Sequence, residues 1–208
     1  MILKELKIEN TIGTETNCYI IGDENAREAM CIDPAGECDK ILKMLNILDM
    51  NLKYIYLTHC HADHLGALEE LKNKTGATFL IHRIESENLR NPEVNMTSIL
   101  GIKNIEIDAD ARVDDGDLLH VGNIELIVMH TPGHTNGGTS LYIEKEKLIF
   151  TGDTLFKGTY GRTDLATGSE KEIMKSIKNK ILLLPDETVI YPGHGMPGII
   201  GEEKENYL

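Results

Sequence analysis

The amino-acid sequence predicts a layered, mixed α/β sandwich with helices packed outside sheets. Short β-rich runs bounded by turn residues recur along the chain, and segments with apolar residues at helical spacing interleave with them. The runs 17–21 and 29–33 are joined by the turn-rich Gly22-Asp23-Glu24-Asn25, which favours an antiparallel hairpin. Together these patterns place helices over sheets.

Nine strands are expected, at 3–8, 17–21, 29–33, 52–58, 78–82, 124–130, 139–143, 147–151 and 188–191. Each is a short aliphatic, β-branched or aromatic run closed by turn residues. Helices are expected at 40–48, 65–74, 84–89 and 170–184, the last opened by the capping box Ser169-x-x-Glu172. The stripes Met44, Leu45, Leu48 and Ile173, Ile177, Ile181, Leu184 hold these helices to the sheets. The polar, turn-rich stretch 93–117 is a long excursion within one domain spanning 1–208, because no Pro/Gly/Ser-rich linker divides the chain.

Composition excludes several function classes. With 41% hydrophobic and 26% charged residues, the 208-residue chain can build a full core, and no apolar run reaches membrane-spanning length. The formal charge of −13 repels polyanions, so nucleic acid is not an expected partner. Charges at positions 4, 5 and 7 interrupt the start of the chain before an apolar signal segment could form, which predicts a cytoplasmic location. Cys18, Cys31, Cys38 and Cys60 are scattered without a C-x-x-C pair and are expected as buried thiols.

The chemistry concentrates in Thr58-His59-Cys60-His61-Ala62-Asp63-His64, between an apolar strand run and a helical segment. His59 and His61, two apart on an extended chain, project the same way and can share a metal. Asp63 and His64, entering the helix, can point to a second. Further donors follow other predicted strands: His134 in Thr131-Pro132-Gly133-His134, Asp153 in Thr151-Gly152-Asp153, and His194 in Pro192-Gly193-His194. Imidazole suits zinc or iron, and a carboxylate can bridge two ions, so five His and two Asp satisfy a two-metal hydrolase. His82, His120 and His130 are expected to be structural, with His130 satisfying a backbone group beside the site.

These motifs resemble those of the metallo-β-lactamase superfamily, on its glyoxalase II-like branch of hydroxyacylglutathione hydrolases. All five motif blocks stand in the family's order, from Asp33 in Ile32-Asp33-Pro34-Ala35-Gly36 to His194. The resemblance implies a four-layer αββα sandwich of two mixed sheets. It also implies that His59, His61 and His134 bind one metal, that Asp63, His64 and His194 bind the other, and that Asp153 bridges them. Asp33 would support the first loop from behind. β-Lactamases of the commonest class carry a Cys ligand and no second-site His in this loop, so the resemblance points away from a lactamase.

The segment Phe156-Lys157-Gly158-Thr159-Tyr160-Gly161-Arg162-Thr163-Asp164 is similar to the G-R-T-D signature of small glyoxalase II-like proteins, and also to that of persulfide dioxygenases. Arg162 and Asp164 are read as an ion pair holding this loop, with Lys157, Tyr160 and Arg162 as candidate substrate contacts. Residues 195–208 alone follow His194, so the C-terminal helical domain that binds glutathione in full glyoxalase II enzymes is expected to be missing. The leading expectation is a hydrolase of an acylated thiol, S-lactoylglutathione or a related anionic thioester, with two divalent ions: zinc, or iron or manganese on the same donors. Asp63 would orient a bridging hydroxide while ligating. Alternatives are a mononuclear iron persulfide dioxygenase using His59, His134 and Asp153, a lactone or ester hydrolase, and a non-catalytic metal-binding module. RNA processing is disfavoured by the charge, and an exposed apolar edge could make a homodimer.

Overall fold

A computed structural model describes residues 1–207. Its strands form two six-stranded sheets and a small hairpin. The first sheet holds β1 (Ile2–Glu9), β2 (Glu15–Asp23), β3 (Glu28–Ile32), β4 (Asn51–Leu57), β5 (Thr78–His82) and β6 (Ala111–Val113) in that spatial order. Its first two pairings are antiparallel and the remaining three parallel. The second sheet runs β14 (Gly198–Ile199), β13 (Val189–Pro192), β10 (Leu148–Gly152), β9 (Thr139–Ile143), β8 (Ile124–His130), β7 (Leu118–Val121). All its pairings are antiparallel except β10 with β13.

Strand alternation makes four layers from these two sheets. On β2, Tyr19 and Ile21 face the second sheet while Cys18 and Ile20 face helices; on β3, Met30 and Ile32 divide from Ala29 and Cys31 in the same way. Leu126, Val128, Leu141, Ile143 and Phe150 answer from the second sheet across the central core. On the outer face of the first sheet pack α1 (Cys38–Ile47), α2 (Leu68–Thr75) and α3 (Arg83–Asn88), through Ile41, Leu45, Leu68, Leu71 and the following Leu89. On the outer face of the second, Ile173 and Ile177 of α5 (Glu170–Asn179) and Ile200 of α6 (Ile200–Tyr207) cover Tyr142, Ile149 and Ile190. This is the αββα sandwich, and its two-sided burial explains why the strands read as nearly continuous apolar runs. The surface, 9035 Å², lies near the about 9,700 Å² that scaling gives for this mass.

Several expected elements need correction. The helix expected at 65–74 is preceded by a 3₁₀ turn, Ala62–His64, and α2 itself begins at Leu68. The helix expected at 170–184 stops at Asn179, and a 3₁₀ turn at Ile181–Leu183 buries the adjacent Ile181 and Leu182 together. Met44 and Leu48 are only partly buried beside Leu45. The nine-strand reading lacks β6, β7, β14 and the hairpin β11 (Leu155–Phe156) and β12 (Thr159–Tyr160), and it has no counterpart for α6 or for the single-turn α4 (Thr97–Leu100). These elements are short, and most are mainly polar or half exposed, so they carry little periodic signal. The excursion 93–117 contributes α4 and β6, and its Ile105, Ile107 and Ala109 pack on the outer core of the first sheet. All four cysteines are buried free thiols. Among the described residues, no helix is long and apolar enough to cross a membrane.

Candidate metal centre

Five chain segments meet at one rim of the sandwich, each leaving the carboxyl end of a strand: Asp33 after β3, 58–64 after β4, 131–138 after β8, Asp153 after β10 and His194 after β13. Binding groups collect where strand ends release the backbone from the ladder while the sheet still holds its direction. The two sheets are tied together at this rim. Thr139 donates its N–H to Thr58 O at 3.0 Å, Tyr56 and Thr139 hydroxyls meet at 2.8 Å, and Asn17 donates its N–H to Gly193 O at 2.8 Å.

The seven donors converge. His59, His61 and His134 place their ligand atoms within 4.8 Å of one another, as do Asp63, His64 and His194, and His59, His64 and Asp153. His134 Nε2 lies 2.9 Å from His61 Nδ1. Asp153 stands between the first two groups, with Oδ2 3.6 Å from both His134 Nε2 and His194 Nε2 and Oδ1 3.4 Å from His64 Nε2. His194 Nε2 is 3.3 Å from Asp63 Oδ2. Gly193 lets the strand end before His194 lie against Asp153 and His64, because a Cβ there would overlap Asp153 Oδ1 and the His64 ring.

Most of the imidazoles are anchored through the far nitrogen. His64 Nδ1 donates to Asp33 Oδ2 at 3.0 Å, His134 Nδ1 to Arg162 O at 2.8 Å, His194 Nδ1 to Glu15 O at 2.8 Å, and His59 Nδ1 to Thr58 Oγ1 at 3.1 Å. Each bond fixes the ring and turns Nε2 inward, as outer partners of metal-bound histidines do. Asp33 is itself held in the left-handed region, at φ 51, and accepts the N–H and hydroxyl of Thr58, both at 2.8 Å.

The electrostatics divide the cluster. Burial and neighbouring imidazoles push His59 well down, and His61 to about 3, so both rings are neutral. Burial opposes charge on His64, but Asp153, Asp63 and Asp33 surround it and hold its pKa well above the ordinary value. Against the same burial, His64 holds the Asp153 carboxyl well below its usual range, and His64 and His194 lower Asp63. His59 Nε2, His64 Nε2 and Asp153 Oδ1 are buried without a hydrogen-bond partner. Orphaned polar atoms converging on one point are costly unless a cation satisfies them, so the donor set fits divalent metal.

Above the cluster lies a cleft of about 420 Å³, walled by Ile12, Met96, Leu100, Phe156, Leu165 and Arg162. Of the candidate substrate contacts, only Arg162 reaches it, and its guanidinium is held by both Asp164 oxygens at 2.7 and 2.8 Å. Lys157 and Tyr160 do not line the cleft. Register in the β11–β12 hairpin pairs Tyr160 with Leu155 on the face away from Phe156, and Tyr160 packs near Tyr207. Lys157 points to Glu202 at 3.7 Å. His120 is exposed beside Glu125, and His130 Nε2 donates to Asn136 O at 3.1 Å. His82 is a buried strand-end residue stacked on His130.

Three supporting residues escaped the sequence reading. Asn17 Nδ2 donates to Pro192 O at 2.9 Å and Gly195 O at 3.0 Å, and the Tyr19 hydroxyl donates to Pro192 O at 2.6 Å, which together hold the His194 loop. Asn inside a β-run is unfavourable, and that misfit was the available signal for Asn17. Glu85, fully buried, accepts backbone N–H groups from both the His59 and His134 loops.

Fold and rim define a metal-binding protein of the αββα class, and residues 11–194 match the Metallo-beta-lactamase superfamily. The chain belongs to that superfamily, whose members are mostly metal-dependent hydrolases. It is 34% identical to the hydroxyacylglutathione hydrolase GloC of Haemophilus influenzae over 194 residues, 92% of this chain and 91% of that protein. The crystal structure of the BLEG-1 B3 metallo-beta-lactamase superposes with a TM-score of 0.90 at 33% identity, covering 99% of this chain and 98% of that one. The structure of TTHA1623 in a di-iron-bound form gives 0.84 at 26%, covering 97% and 96%.

Proposed function

We propose that the protein is a two-metal hydrolase that cleaves an acylated thiol, a glyoxalase II-like thioesterase with S-lactoylglutathione or a related thioester as substrate. The observation that carries this reading is the position of five of the donors, His61, Asp63, His134, Asp153 and His194, on the floor of an open cleft. Asp63 and His194 keep 20% and 29% of their side-chain surface exposed, whereas a structural metal site is closed by its own ligands. Likeness to GloC supports the substrate class, and the di-iron relative supports a pair of ions.

His59, His61 and His134 would hold one ion, Asp63, His64 and His194 the other, with Asp153 shared between them. Two divalent ions, zinc in the first instance, would acidify a bound water towards neutral pH and polarise the thioester carbonyl. The chain's own groups then direct the reaction. Asp63, kept ionised, orients the attacking water by hydrogen bonding, and the rings fixed by Asp33, Arg162 O and Glu15 O hold the donors without reorganisation. Ile12, Met96, Leu100, Phe156 and Leu165 exclude water and take the carbon skeleton flanking the scissile bond.

Turnover of S-lactoylglutathione by metal-loaded wild type and Asp153→Ala tests the proposal, with nitrocefin and glutathione persulfide plus oxygen as competing substrates. The expected result is thioester hydrolysis by the wild type, and loss of both that activity and one bound metal in the variant. Oxygen uptake with persulfide and Fe(II), without thioester turnover, would establish the dioxygenase instead. Hydrolysis confined to nitrocefin, or a fully active Asp153→Ala, would contradict the proposed substrate or the bridging role.

A further inference from the structure

Glu85 occupies the first turn of α3 and has no exposed surface. Its Oε2 accepts the backbone N–H of Cys60 at 2.8 Å, and its Oε1 accepts that of Gly137 at 3.0 Å and Asn88 Nδ2 at 3.3 Å. A buried carboxylate is costly unless such donors replace its water. Cys60 stands between His59 and His61, and Gly137 closes the loop that carries His134. One side chain therefore spans the two loops that supply the three-histidine cluster. Backbone N–H groups cannot change rotamer, so each bond fixes a loop rather than a side chain. The fit is close: a Cβ on Gly137 would come within 2.8 Å of both Glu85 N and Glu85 Oε1.

The second cluster has its own anchors. His64 is held by Asp33, Asp63 O accepts the Thr16 hydroxyl at 2.9 Å, and His194 is held by Glu15 O. We infer that Glu85 is a positioning residue for the His59/His61/His134 metal site, a strut whose carboxylate sets the separation of the two loops. The inference rests on the metal-site reading above.

Titration of the metal-free full-length chain with Co²⁺, followed by visible absorption and calorimetry, tests it in wild type, Glu85→Gln, Gly137→Ala and the reference variant His134→Ala. Gln keeps the size of Glu but offers one oxygen and an NH₂ group, so one backbone N–H loses its acceptor. Gly137→Ala leaves Glu85 intact and wedges the loop away from it. The expected result in both is an about 10–100-fold weaker His134-dependent binding step, the scale seen when outer partners of metal ligands are removed. The other step and the far-ultraviolet circular dichroism remain as in wild type. Variants that titrate like wild type, or that weaken both steps equally, overturn the role of Glu85. If one variant fails to fold, the other decides the question. A wild-type chain that takes up no Co²⁺ overturns the metal-site reading itself, and the strut with it.

Discussion

At the residue scale, the cluster depends on where four of its five imidazoles, His59, His64, His134 and His194, spend the second nitrogen. Asp33, Arg162 O, Glu15 O and Thr58 take the outward nitrogens, and the inward ones are left for a cation. The clustering of these seven His and Asp side chains was legible because H-x-H-x-D-H and the three later motifs combine rare residue types with turn residues after strands. Asp33 was legible only through the family resemblance. Glu85 was not legible, since a Glu in the first turn of a short helix looks the same whether it faces water or two backbone N–H groups. Lys157 and Tyr160 do not line the cleft because sequence nearness to Arg162 says nothing about which face of a two-residue strand Tyr160 takes, or which way Lys157 leaves the turn between β11 and β12.

His82 supplies a pH prediction at this scale. Burial, followed by the stacked His130, lowers its pKa from 6.5 to about 4, while Asp114 and Asp115 pull upward and Arg83 downward. Between those values the unfolded chain binds a proton that the folded chain refuses. This contribution is therefore fully present above pH 6.5 and is lost as pH falls towards about 4. Asn at this position retains the capping acceptor that His82 offers Ile84 N but does not titrate. Chemical denaturation at a series of pH values should show a shallower fall for His82→Asn than for wild type in that window; parallel curves would contradict the assignment.

At the element scale, two-sided burial of the central strands made the sandwich readable, while β6, β7, β14 and the β11–β12 hairpin were too short to show a period. The role of the excursion 93–117 was hidden for a different reason. Beside the alternating Ile105, Ile107 and Ala109 that pack on the first sheet, a polar network orders its first half: buried Asn95 donates to Leu89 O at 2.7 Å and Asn104 Oδ1 at 2.9 Å, and accepts the Thr97 N–H at 2.9 Å. Ala62 N–H donates to Asn95 O at 2.9 Å, tying the excursion to the metal loop. Met96 and Leu100 are thereby presented to the cleft. Met96→Asp with Leu100→Asp should raise KM for a thioester about 10-fold or more, the scale of one or two lost apolar contacts, with metal content unchanged. Steady-state kinetics beside elemental analysis check this, and an unchanged KM would remove the excursion from substrate binding.

At the scale of the whole molecule, the site belongs to neither sheet. The first sheet supplies Asp33 and the loop from His59 to His64, the second supplies His134, Asp153 and His194, and the central core fixes the distance between them. Tyr19 shows the coupling: its ring packs edge-on against Phe150 across the core, and its hydroxyl holds the strand end that precedes His194. A fold of this kind brings remote donors together without any one segment forming a site alone, and only the order of motifs hinted at it in the sequence. The central claim is a pair of ions held across that seam. Elemental analysis of the chain, purified without added metal, tests it most directly. The account predicts about two divalent ions per chain, whereas a single retained iron, or none after exposure to zinc, iron and manganese, would contradict it.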